Sequence, residues 1–337
     1  MRWMVTVVFF AFFSGAALAE SSHFNAGVSR LTVPDGVATI DTVVFYPTNA
    51  PEIPWQAGPF TIEASRDATP IADKRFPVVL ISHGRRGGSL SHRELAAALA
   101  RAGFIVILPT HVGDASGFPL AQTQAQILID RPRQAEAALN AVLSNPRFSG
   151  SVDANRIGMI GYSAGGYTAL ILAGATPNFV YASAFCANHD DPGSCPHPAA
   201  GGHTSDAVSG GQSVSSELLT WQPPVEHRLK ALVLMDPLAI MFDSSSFSSV
   251  RLPTMLYRPQ SDAYLGATRN VLAVASGLPL PAKLNVVPGN HFVFIDPCPS
   301  QLAGNEPLVC QDGPGVDRPA IHRQIEKEVA DFMQANL

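Results

Sequence analysis

The chain has 337 residues, 46% hydrophobic and 15% charged, and its 22 Lys+Arg against 27 Asp+Glu give a net charge of −5. That composition excludes a disordered chain, and the charge sign argues against phosphate-backbone binding, so no nucleic-acid partner is expected. The 28 prolines and 27 glycines follow no period, which excludes collagen-like order and leaves a loop-rich folded chain.

The first twenty residues read MRWMVTVVFFAFFSGAALAE. Arg2 supplies a positive start, Met4 to Phe13 an apolar stretch, and Ala17-Leu18-Ala19 a small-x-small cleavage site. Residues 1–19 are therefore expected to be a signal peptide cleaved near Ala19, with 20–337 forming one exported domain, periplasmic or secreted. The uncharged run from Met4 to Ala19 has 16 residues, short of the roughly 20 that span a bilayer, so no stable membrane span is expected after cleavage. In an oxidising compartment the four cysteines are expected to pair, and proximity favours Cys186–Cys195 and Cys298–Cys310 among three possible pairings.

Residues 20 to 75 read as β-meander with loops, with Val43 to Tyr46 and Phe60 to Ala64 as antiparallel edge strands. From Phe76 the pattern alternates. Phe76 to Ser82 is a near-continuous apolar run, as suits a strand buried on both faces of a parallel sheet. A helix is expected over Ser91 to Ala102, a strand over Phe104 to Leu108 stopped by Pro109, and a helix over Arg131 to Leu143 with Pro132 in its first turn. Arg156 to Gly161 is a third buried strand, followed by a helix over Ala164 to Ala173. Residues 175 to 228 form a Gly/Ser/Pro-rich insertion, read as a lid or cap because an unstructured insertion of that length is usually functional or mobile. Strands are then expected at Lys230 to Met235, Pro253 to Tyr257 and Lys283 to Val287, a helix near Thr268 to Ser276, and a last helix over Ile321 to Asn336. The alternation gives an α/β class: a doubly wound, mostly parallel sheet with an N-terminal antiparallel edge.

Gly161-Tyr162-Ser163-Ala164-Gly165 falls between an expected strand and an expected helix. This is G-x-S-x-G in the context that gives it meaning: a sharp turn that projects Ser163 Oγ above the sheet. A free serine is a poor nucleophile and needs a base. His291, after the last strand, is the candidate, while His83 and His111 end earlier strands and are read as walls. The orienting acid stays open. Asp262 lies after the penultimate strand and Asp236 ends the strand before it, and either would fix the imidazole tautomer. For the oxyanion hole the Ala164 amide is one candidate donor and the Arg85 amide, in the loop after Ser82, the other. The Arg85-Arg86 side chains read either as solvated loop arginines or as an attractor for an anionic substrate group. His189, Asp190, Asp191, His197 and His203 match no metal spacing, so a disulfide-pinned polar loop is expected there and no metal.

The SHG that ends FPVVLISHG, together with GYSAGGYTA, NHFVFIDPC and VDRPAIH, resembles the α/β-hydrolase superfamily over roughly residues 27 to 335. More narrowly, these segments are similar to bacterial dienelactone-hydrolase-like proteins and platelet-activating-factor acetylhydrolases. The resemblance implies the α/β-hydrolase fold and an ester hydrolase that uses Ser163, His291 and an oxyanion loop at Gly84–Arg85. MDPLAIMF resembles the acetylhydrolase segment with the catalytic aspartate, which favours Asp236. The SDAYL segment sits where dienelactone hydrolases carry theirs, which favours Asp262. Dienelactone hydrolases proper use cysteine where this chain has Ser163, and Arg85-Arg86 stands where small or apolar residues are usual. The expected activity is acyl-enzyme hydrolysis of a small-molecule or lipid-like carboxylic ester, with no cofactor implied. A peptidase of the same fold and a non-catalytic binding protein are the alternatives.

Overall fold

Eleven strands and nine helices follow in chain order among residues 24–36, 38–117, 122–189, 191–195 and 214–337, the part of the chain that the computed structural model describes. The expected signal peptide lies outside the described residues. The strands are β1 (Asn25–Asp35), β2 (Ala38–Thr48), β3 (Trp55–Ala57), β4 (Phe60–Ile62), β5 (Ser65–Arg66), β6 (Phe76–Ser82), β7 (Ile105–Pro109), β8 (Val152–Tyr162), β9 (Leu229–Met235), β10 (Thr254–Pro259) and β11 (Lys283–Val287). The helices are α1 (Arg93–Arg101), α2 (Gln124–Ser144), α3 (Ala164–Leu172), α4 (Phe179–Cys186), α5 (Ser216–Thr220), α6 (Val271–Gly277), α7 (Ser300–Ala303), α8 (Pro307–Cys310) and α9 (Arg318–Asn336).

The main sheet runs β11-β10-β9-β8-β6-β7-β2-β1-β5. Strands β6 to β11 pair in parallel, and β2 joins β7 antiparallel. The apolar runs are explained by burial on both faces. Val78 and Leu80 enter one core cluster with side chains of α2 and α3, while Val79 and Ile81 enter the other with side chains of α1 and α9. Successive strand residues face opposite ways, so a run without polar gaps fits only a strand covered on both sides. The chain winds from β6 to β7 on one side and then returns to β8 on the other. The crevice at the carboxyl ends of β6 and β8 is therefore the topological switch point, where ligands of open α/β sheets bind.

Four expectations need correction. Val43 to Tyr46 is not an edge. It lies in β2, between β7 and β1, and all four side chains are buried. The uninterrupted VVFY run marks that two-sided burial, and the edge falls to the two-residue β5 beside β1. Phe60 to Ile62 pairs with β3 in a separate two-stranded sheet. The helix expected over Arg131 to Leu143 begins at Gln124, where Thr123 and Gln126 form a reciprocal capping box. Pro132 thus stands inside the helix. Its missing N–H leaves the Leu128 carbonyl without its usual donor, and the Tyr167 hydroxyl donates there instead at 3.1 Å. Finally, the stretch read as an unstructured insertion contains α4 and α5. Asn178 caps α4 by accepting from the Tyr181 amide at 3.0 Å, and Phe179, Ala182 and Phe185 bury against the main core. Residues 190 and 196–213 of that insertion lie outside the described residues.

Cys186 is bonded to Cys195 and Cys298 to Cys310, the pairing that proximity favours. Among the described residues no helix is long and apolar enough to cross a membrane.

Candidate active site

Ser163 sits between β8 and α3 with φ 53° and ψ −119°. A positive φ on a serine is strained, and the surrounding backbone holds it there. The Ser163 amide donates to the Met235 carbonyl at 3.0 Å, and its carbonyl accepts from the Gly166 and Leu238 amides at 2.8 and 2.9 Å. The flanking glycines are required by contact. A Cβ at Gly161 would lie 2.3 Å from the Gly165 carbonyl oxygen, and one at Gly165 would lie 1.9 Å from that of Ser82. Ser82 pairs with Gly161 across the sheet, which sets β6 and its following loop directly against the elbow.

His291 opens a single turn of 3-10 helix, His291–Phe294, after β11. The Asn290 side chain accepts from the Phe292 amide at 3.0 Å, and Gly289 takes φ +111°, a conformation that suits glycine. The imidazole Nε2 lies 3.0 Å from Ser163 Oγ, and Nδ1 lies 2.6 Å from Asp236 Oδ2. With Nδ1–H donating to Asp236, Nε2 is left to accept the Ser163 hydroxyl proton. Ser163, His291 and Asp236 are all buried, as is the Tyr162 ring 5.1 Å from the imidazole, and the half-buried Tyr264 ring lies 4.8 Å from it.

The structure brings both candidate acids to the same ring atom. Asp262 Oδ2 lies 3.3 Å from His291 Nδ1, while its Oδ1 accepts from the Tyr264 and Leu265 amides at 2.6 and 3.1 Å. The 2.6 Å contact makes Asp236 the hydrogen-bond partner and leaves Asp262 beside it. Asp236 Oδ1 and Asp262 Oδ2 are buried without a hydrogen-bond partner among the described residues, and two carboxylates this close disfavour ionising together. Burial, with the Asp262 carboxylate alongside, pushes Asp236 upward, and the bond from His291 opposes that shift. Burial also raises Asp262, but the nearby His291 and the bond from the Tyr264 amide outweigh it and hold Asp262 below the usual carboxylate range.

Burial lowers the affinity of His291 for a proton, yet the bonds and charges of Asp236 and Asp262 more than offset it and the net shift is upward. Imidazolium therefore persists to higher pH than in a free histidine. Because the base must be neutral, kcat/KM is expected to rise with pH through an apparent pKa above that of free histidine, about 6.5. An acid limb below that value in the pH–rate profile would contradict this assignment.

The loop after β6 supplies the candidate oxyanion donor. A Cβ at Gly84 would lie 3.2 Å from Ser163 Cβ, so this loop touches the elbow. Among the described residues neither the Arg85 amide nor the Ala164 amide finds an acceptor. The Arg85 side chain donates to Gln124 Oε1 at 2.7 Å, and Arg86 is exposed. His83 and His111, expected as walls, are buried and bond to each other's segments, the His111 amide donating to His83 Nε2 at 3.0 Å.

Asp236, Asp262 and His291 bring possible metal-ligand atoms within 4.8 Å of one another. The hydrogen bonds of His291 to Asp236 and Ser163 occupy both its nitrogens, so this arrangement fits proton transfer rather than ligation. In the insertion, His189 stacks on Phe185, and Asp191 accepts from the Ser194 and Gly266 amides. Asp190, His197 and His203 lie outside the described residues.

A model of the dienelactone hydrolase family matches residues 64–193. A search of curated proteins finds no match. Among solved structures, a ferulic acid esterase from Streptomyces cinnamoneus is similar over 96% of this chain and 92% of its own, at 18% identity and a TM-score of 0.62.

Proposed function

We propose, from the premise that the chain is an α/β-hydrolase superfamily member resembling dienelactone hydrolases, that it is an exported serine hydrolase of carboxylic esters. The observation that carries this reading is the buried chain of contacts Ser163 Oγ–His291 Nε2–His291 Nδ1–Asp236 Oδ2, at 3.0 and 2.6 Å.

The geometry supports the following sequence. Ser163 Oγ attacks the acyl carbon while His291 Nε2 takes its proton. The carbonyl oxygen becomes an oxyanion and accepts from the Arg85 and Ala164 amides. His291 then returns the proton to the departing alkoxide, leaving an acyl group on Ser163 and releasing the alcohol. Water enters, gives a proton to His291 and attacks the acyl carbon. Collapse of that second intermediate returns the proton to Ser163 and frees the acid. Asp236 keeps the imidazole in the productive tautomer and stabilises imidazolium in both steps.

Two disulfides support export to an oxidising compartment, where such bonds persist. The reading of residues 175–228 as a cap, with one catalytic domain from residue 20 onward, belongs to this proposal. The likeness to a ferulic acid esterase favours an ester over an amide as substrate. The test is a panel of p-nitrophenyl esters of increasing acyl length beside matched peptide anilides. Turnover of short esters with no measurable anilide cleavage is expected. Preferential anilide cleavage would make the protein a peptidase, and inertness to both would leave a binding protein.

A further inference from the structure

The helix α2 carries a charge where its stripe of buried side chains passes. Ile127, Leu128, Ala135, Ala138, Leu139 and Val142 face the core, and Arg131 lies on that same stripe, 1% exposed. A buried guanidinium is tolerated only where its donors are met. Here Nη1 donates to Asp114 Oδ2 at 2.6 Å, Nε to Thr168 Oγ1 at 3.1 Å, and Nη2 to the His83 carbonyl, with Ser82 Oγ at 3.4 Å. These partners belong to the loop after β6, the loop after β7 and the nucleophile helix α3. We propose that Arg131 is a positioning residue that fixes the oxyanion loop, aiming the Arg85 amide at the acyl oxygen. The proposal rests on the serine-hydrolase reading above.

The bracing passes through consecutive peptide units. Arg131 holds the His83 carbonyl. The Gly84 carbonyl accepts from His83 Nδ1–H at 2.7 Å and from the Gly87 amide at 3.1 Å. The other His83 nitrogen, Nε2, accepts from the His111 amide at 3.0 Å, which fixes the tautomer. Burial and the neighbouring Arg131 lower His83 to about 3, so the ring is neutral and this pattern is the one it can make. The Arg86 amide donates to the carbonyl of Asp114, the same residue whose carboxylate holds Arg131, at 2.8 Å. In a trans peptide the C=O and N–H point in opposite directions. Pinning the Gly84 carbonyl therefore turns the Arg85 N–H the other way, and it is the one amide of residues 85–87 without an acceptor among the described residues. Thr168 ties this bracing to the nucleophile helix, because its hydroxyl also donates to the carbonyl of Ala164 at 3.1 Å.

The test is Arg131→Lys, which keeps the charge beside Asp114 but loses the fork, with Thr168→Val as a second variant that removes the Nε acceptor together with the hydroxyl's bond to the Ala164 carbonyl. Rates are measured per active serine, counted by phosphonate titration, on an ester and on its thionoester, whose C=S accepts hydrogen bonds poorly. Removing an oxyanion donor outright costs about 10²–10³ in kcat, so a displaced one should cost roughly 10–100-fold in Arg131→Lys. KM should change by less than about threefold, since the bond is made in the transition state. The ester-to-thionoester rate ratio should fall with it, and Thr168→Val should shift both in the same direction by less. A folded Arg131→Lys with the wild-type ratio overturns the proposal, whatever its rate. If that variant does not fold, an unchanged ratio in Thr168→Val overturns it. Full activity of Ser163→Ala would instead remove the reading on which the proposal rests.

Discussion

Replacing Ser163 by Ala is expected to lower ester turnover by about 10⁴-fold or more while leaving the protein folded. The magnitude follows from what is lost. Without Oγ there is no covalent intermediate, and His291 Nε2 loses the proton donor 3.0 Å away. Only oxyanion stabilisation and binding remain, and these alone give a small residual rate. The fold should tolerate the change because the elbow is held by backbone bonds from Ser163 to Met235, Gly166 and Leu238, none of which uses the hydroxyl. The strained φ of 53° is the same burden for Ala as for Ser. Steady-state kinetics on a short p-nitrophenyl ester, with thermal unfolding in parallel, checks this. Turnover near wild type in a folded Ser163→Ala variant would place the nucleophile elsewhere.

The second large effect separates the two aspartates. Asp236→Asn is expected to lower kcat by roughly 10²–10⁴-fold, because the amide that replaces Oδ2 can present N–H to Nδ1 and favour the wrong tautomer. Losing the 2.6 Å partner also removes part of what raises His291, so the acid limb of the pH–rate profile should move to lower pH. Asp262→Asn is expected to stay within about tenfold of wild type. An asparagine there can donate to Asp236 Oδ1, which has no hydrogen-bond partner among the described residues. The double variant should lose little more than Asp236→Asn alone, since the two groups serve one ring nitrogen. Collapse of activity in Asp262→Asn with Asp236→Asn near wild type would reverse the assignment.

Residues with a local requirement were legible in the sequence. Ser163 was marked by glycines on either side, and the contacts at Gly161 and Gly165 show why those positions reject a side chain. The strand cores were marked by runs such as Phe76 to Ser82 that only two-sided burial explains. The choice between acids was not legible, because it depends on strand adjacency. Met235 pairs with Tyr257, so the loops after β9 and β10 deliver Asp236 and Asp262 to one imidazole, and only the finished sheet distinguishes 2.6 from 3.3 Å. Pro132 is a strong local signal for a first turn and hides the true start of α2 at Gln124. A tertiary contact, the Tyr167 hydroxyl on the Leu128 carbonyl, satisfies the acceptor that proline leaves open. Arg131 carried a signal that went unused: a charge at the spacing of an apolar stripe, which points to a buried partner.

The serine-hydrolase reading is tested most directly by covalent labelling. A fluorophosphonate probe at saturating concentration, followed by intact mass and peptide mapping, should add one phosphonyl group per chain on Ser163. The reaction should fail in Ser163→Ala and slow strongly in His291→Ala, because the attack needs the base 3.0 Å from Oγ. Ester turnover that persists with Ser163 unlabelled, or an adduct on another residue that abolishes activity, would contradict it.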